Sequence, residues 1–143
     1  MATTFGFPRA PAWFRIAAIL ALLWNAFGLA MYLSAAGMFG DPLAGLSEPQ
    51  RAAAAAIPNW IMLAFALGTF GGVLGSVGLV LARRWAMSML TLSAMALLVL
   101  EGWIVFVSGQ VALHGLAVPI SVSLIAILLV SMAVKGRKRG WLR

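Results

Sequence analysis

The strongest constraint on this chain is the recurrence of long apolar runs. Four of them, at 13–36, 59–82, 85–107 and 111–134, are each 23 or 24 residues long. Glu101 is the only acidic or basic residue well inside any run, with Arg15 one turn into the first. About 20 apolar residues suffice to cross bilayer hydrocarbon as a helix. In lipid, every backbone N–H and C=O must be bonded within its segment or around a closed barrel. Barrel strands would show alternating segments of about 10 residues, so these continuous runs predict helices. The expected fold is all-α, an antiparallel four-helix transmembrane bundle forming one domain over 1–143. The first run exceeds the roughly 7–15-residue core of a cleavable signal peptide and reads as an uncleaved anchor.

With 64% hydrophobic and 9% charged residues, the chain is unlike a soluble domain, which is about 45–50% apolar and about 25% charged. A disordered chain is excluded for the same reason. Cysteine is absent, which removes disulfides, thiolate ligands and a cysteine nucleophile. Three acids and one histidine assemble no triad, carboxylate pair or metal cluster. The sequence therefore predicts no enzyme, no catalytic residues, no metal site and no cofactor.

Charge sets the expected orientation. Arg9, Arg15, Arg83, Arg84, Lys135, Arg137, Lys138, Arg139 and Arg143 all fall on one side of the four-span map, and only Arg51 falls on the other. By the positive-inside rule, both termini and the 83–84 link are cytoplasmic. The net charge of +7 then reads as topology, with anionic lipid at the cytoplasmic face as its partner and no role in nucleic-acid binding. Trp13, Trp85 and Trp141 map to the cytoplasmic boundary and Trp60 and Trp103 to the outer one, as an aromatic belt requires. Trp24, at mid-span, is the exception.

The outer connection, 37–58, carries a turn signal at Gly40-Asp41-Pro42. Ser47-Glu48-Pro49-Gln50 reads as a capping box, and the alanines at 52–56 favour a helix. A short surface helix near 48–56 is expected there. The links at 83–84 and 108–110 are too short for anything but antiparallel neighbours.

Inside the spans, small residues dominate one face of the second. Gly68, Gly72 and Ser76 recur every fourth position, interleaved with Gly71 and Gly75. In lipid such a face lets backbones approach closely. A phosphate loop is excluded, because no Lys-Ser/Thr follows and the glycines sit inside an apolar run. Whether the face meets the same chain or another copy is open at this stage.

Four polar residues are candidates for a proton or solute pocket: Glu101, His114, Tyr32 and Asn25. An acid in hydrocarbon must face the bundle, reach water or pair. Asn25 shares a helical face with Ala18, Ala21, Gly28 and Tyr32, a stripe suited to an interhelix hydrogen bond. Tyr32, Glu101 and the lone His114 lie at similar depth near the outer boundary. Pro119, inside the fourth run, predicts a kink there.

Three blocks carry a resemblance. They are Leu22-Leu23-Trp24-Asn25-Ala26-Phe27-Gly28, Leu46-Ser47-Glu48-Pro49-Gln50-Arg51, and Gly71-Gly72-Val73-Leu74-Gly75-Ser76 followed by Arg83-Arg84-Trp85-Ala86. Together they resemble small four-helix bacterial inner-membrane proteins that are often loosely labelled "sugar transporter". The blocks span roughly residues 20–95. The resemblance implies a multi-pass protein of the bacterial inner (plasma) membrane and brings no catalytic residue with it. After the Trp-Asn block this chain reads Leu29-Ala30-Met31-Tyr32, without the family's acid.

Two functions are compatible with these features. The one favoured by the sequence is a non-catalytic accessory or structural component of a homo-oligomer or larger membrane complex, which accounts for the glycine face. The alternative is a proton-coupled transporter of a small sugar-like or cationic solute using Glu101. A lone intramembrane acid in a four-helix chain is similar in outline to the small multidrug resistance transporters, although theirs lies in the first helix.

Overall fold

The computed structural model describes residues 9–109 and 111–143, with Leu113 and His114 described by backbone only. The helices are α1 (Ala12–Ala35), α2 (Glu48–Ala55), α3 (Asn59–Val80), α4 (Trp85–Phe106), α5 (Val111–His114) and α6 (Ala117–Lys138). Among the described residues there is no strand. The helices α1, α3, α4 and α6, of 22–24 residues each, are long and apolar enough to cross a membrane. At 1.5 Å per residue, 22 residues reach about 33 Å, slightly more than a bilayer core of about 30 Å. The molecule is a four-helix bundle of the multi-pass membrane type.

The centre of the bundle is α3. Half of its spanning stretch is buried, against 33% for α4 and 17% for α1 and α6. It packs on α4 and α1, and α4 packs in turn on α6. The glycine face is the reason. A methyl group built at Gly75 would lie 2.6 Å from the Leu90 Cγ, and one at Gly78 2.8 Å from the Ala86 Cβ. At Gly68 it would lie 2.6 Å from a Leu97 methyl. The face is thus filled by α4 of the same chain.

Both ends of the described chain and the α3–α4 link meet at the basic end of the bundle. There α3 stops in a tight turn: the Arg83 N–H donates to the Gly78 carbonyl at 2.7 Å and the Ala82 N–H to the Leu79 carbonyl at 3.0 Å. The turn holds Ala82 at φ +53. Beyond α6 the same pattern recurs with glycine, at Gly140 (φ +70), and folds the tail back. The Arg143 N–H donates to the Ala82 carbonyl at 2.7 Å, and the Arg84 N–H donates to the Arg143 carbonyl at 2.8 Å. This clamp buries Leu142 with Phe14, Ala18, Leu79, Ala86, Leu90 and Ala133. Trp141 lies edge-on to Trp13 and Phe14, and the Lys135 ammonium sits 5.4 Å over the Trp13 ring.

At the opposite end, Asp41 Oδ1 accepts the Leu43 N–H in the expected turn. The short helix α2 begins at its capping box, with the Ser47 N–H donating to Gln50 Oε1 at 3.0 Å.

The fourth span departs from expectation. It is not one helix over 111–134 kinked at Pro119. α5 ends at His114, Gly115 turns the chain at φ +75, and α6 starts at Ala117. Pro119 occupies the third position of α6, where the first N–H groups have no partner within the helix, so its missing N–H costs nothing. The length lost at that end is recovered at the other. α6 continues past Val134 through Lys135, Gly136, Arg137 and Lys138. Basic side chains there favour the negative end of the helix dipole and can reach past the apolar layer. Gly136 lets the Phe14 ring pack directly on the helix backbone. His114 therefore lies in the connection between spans, not four residues inside one.

Because Ala82 is an L-residue in the left-handed region, at a steric cost of about 1–2 kcal/mol, and glycine loses about 0.5–1 kcal/mol more in conformational entropy, Ala82→Gly should stabilise the fold by up to about 1 kcal/mol. A higher midpoint of thermal unfolding in detergent checks this.

Candidate functional site

The polar side chains of the interior lie along two seams. On the seam between α1 and α3, the Asn25 amide donates to the Ala21 carbonyl of its own helix at 2.9 Å and to the Ser76 hydroxyl of α3 at 3.1 Å. The small residue at Gly72 admits this amide. A methyl group built there would fall on the Asn25 Oδ1 and lie 3.2 Å from the Ser93 Oγ. On the seam between α3 and α4, the Ser93 hydroxyl donates to the Gly68 carbonyl. Thr69 satisfies itself on the carbonyls of Phe65 and Ala66. A niche of about 20 Å³ bordered by Trp24, Asn25, Ser93, Leu97, Ile125 and Leu129 separates α1, α4 and α6 here. That is room for about one water molecule.

One turn further out along α4 lies Glu101. Leu90, Ala94, Leu97 and Glu101 form one stripe at helical spacing. The register of α3 against α4 pairs Gly78 with Ala86, Gly75 with Leu90, Gly71 with Ser93 and Gly68 with Leu97. Continued one turn, it brings Glu101 level with Ala64, a small buried residue. Glu101 is only 7% exposed. Its Oε2 is buried without a hydrogen-bond partner among the described residues. Asn25, by contrast, has both amide hydrogens engaged.

The four residues singled out from the sequence are therefore not gathered into one pocket by the described contacts. Asn25 ties α1 to α3. Tyr32 packs edge-on against Phe65 and Phe70 of α3, at 5.4 and 6.0 Å between ring centres. Glu101 faces inward on α4, with no recorded hydrogen bond to Tyr32 or Asn25. The His114 side chain lies outside the described residues. Sequence reasoning passed over Ser93, although it lies two turns before Glu101 on α4 and opposite Gly71, a pairing the α3–α4 register makes readable.

Among the described residues no group of three or more His, Cys, Asp or Glu is arranged to hold a metal ion. Comparisons with protein-family models, with curated proteins and with solved structures give no match.

The severe crowding at Gly72 comes from Asn25, with the Ser93 hydroxyl a lesser neighbour at 3.2 Å, so most of it is separable. Gly72→Ala should destabilise the wild-type background by about 1–3 kcal/mol. In an Asn25→Ala background the same change should cost much less, because the space it needs is vacated. Reversible unfolding of the four proteins in mixed micelles measures this coupling.

Proposed function

We propose that the bundle is a proton-coupled carrier for a small cationic solute, with Glu101 as the group for which proton and solute compete. The observation that carries this reading is the burial of Glu101 with a carboxyl oxygen that has no hydrogen-bond partner among the described residues. An ionised carboxylate in an apolar interior costs several kcal/mol unless a partner accompanies it. None of the ten Lys and Arg residues belongs to α4, so that helix supplies no fixed cation to neutralise it. A proton or a diffusible cation supplies the missing charge, and exchange of one for the other is the elementary step of coupled transport. The transporter label attached to the proteins that the Trp24-Asn25 and Gly71–Ser76 blocks resemble is consistent with this reading. The accessory-component reading drew its positive support from the glycine face, and α4 and α1 of the same chain fill that face.

The test uses the purified protein in weakly buffered detergent, with tetraphenylphosphonium as a lipophilic cation. Binding should release close to one proton per cation. In Glu101→Gln, with unchanged helix content, both binding and release should be lost. Retention of full cation binding and proton release in the variant would remove Glu101 from the function.

A further inference from the structure

A second cavity, larger than the niche beside Asn25, lies at the basic end of the bundle, far from Glu101. It measures about 500 Å³ and opens between the first turns of α1 and the last turn of α3. Its lining is divided by chemistry. Arg9, Arg15 and Arg143 contribute the charged part, while Phe14 and Ile19 of α1 face Leu79 at the end of α3 and Leu81 just beyond it across the apolar part. The Arg143 backbone is fixed by its two hydrogen bonds to the α3–α4 link, so this wall is held in place by the folded-back tail. No acidic side chain shares this end. Asp41 and Glu48 lie in the opposite connection, and Glu101 lies in the outer half of α4.

We propose that this cavity is a binding site for one anionic phospholipid, with the phosphate held by Arg9 and Arg15 and an acyl chain lying along Ile19 and Leu81. Guanidinium groups match phosphate oxygens in pairs through a planar fork of donors. Basic pockets between helices at the cytoplasmic boundary suit such headgroups. The lining separates a lipid from a free phosphate ion. A free ion needs only the arginines, whereas a lipid also uses the apolar wall, and the two parts adjoin in the order in which headgroup and chain follow one another. The cavity is also much larger than a phosphate group alone. This site is independent of the carrier reading and stands or falls apart from it.

Native mass spectrometry of the full chain released from micelles containing phosphatidylglycerol or phosphatidylcholine tests the proposal. One phosphatidylglycerol should remain bound in preference to phosphatidylcholine. Arg9→Gln with Arg15→Gln should weaken it roughly thirtyfold, from about fivefold for each basic group. Lys138→Gln with Arg139→Gln removes the same charge at the same end without touching the cavity and should change binding by less than about threefold. Ile19→Trp, which fills the apolar wall and leaves every charge in place, should also displace the lipid. Equal losses from the two charge pairs would show a diffuse basic surface and overturn the site, and so would unchanged binding in Ile19→Trp. Displacement of the lipid by an equal concentration of inorganic phosphate would assign the arginines to a soluble anion and overturn the lipid assignment.

Discussion

The bundle depends on the close approach of α3 to α4. In lipid there is no hydrophobic force between two apolar helices, because acyl chains solvate them equally well. What remains is dispersion, which needs near contact of many atoms, and hydrogen bonds that lipid cannot replace. Gly68, Gly71, Gly75 and Gly78 supply the contact by presenting bare backbone to Leu97, Ser93, Leu90 and Ala86. The same approach brings the Ser93 hydroxyl within reach of the Gly68 carbonyl. With this face occupied, α3 keeps Gly72 and Ser76 for Asn25 of α1. One helix thus holds two others through small residues on adjoining faces.

The outer helices are held differently. α1 and α6 are buried over much less of their length, and aromatic packing and a backbone clamp at the basic end supply what small residues supply at the centre. Phe14 fits against Gly136, Leu142 seals the space below, and the tail pairs with the 82–84 link. Further out, the niche beside Asn25 marks where α1, α4 and α6 stand apart. Glu101 lies one turn beyond Leu97 on α4, which packs on both α3 and α6.

Much of the fold was legible because strong local signals agreed with it. Run length alone located α1, α3 and α4 to within a few residues, and the Ser47–Gln50 spacing located α2. The fourth helix was misjudged because hydropathy and proline were weighed apart from position. Pro119 disrupts a helix interior yet is harmless in its first turn, and the fourth run was ended at Val134 although a helix C-terminus accommodates the basic residues that follow. The fold-back at Gly140 left only a charge signal in the sequence, so the burial of Leu142 and the cavity beside Arg9 and Arg15 were not legible. Asn25 was recognised as a tie between helices. The inward orientation of Glu101 was not readable, since α4 is apolar on every side and no amphipathic pattern marks its interior face. Of the residues grouped with Glu101 in the sequence, Tyr32 packs its ring edge-on against two α3 aromatics.

That α3 spends its glycine face within one chain is tested most directly by a cross-link between positions 71 and 93. The protein contains no cysteine, so introduced pairs report without background. A methyl group at Gly71 lies 3.2 Å from the Ser93 Cβ, close to the roughly 3.5–4.5 Å that a disulfide spans. Mild oxidation of Gly71→Cys/Ser93→Cys in native membranes should give a disulfide within single chains, migrating as monomer and leaving no free thiol. Formation only of cross-linked dimers would place the face between copies, and with it would go the single-chain bundle on which the interior position of Glu101 rests.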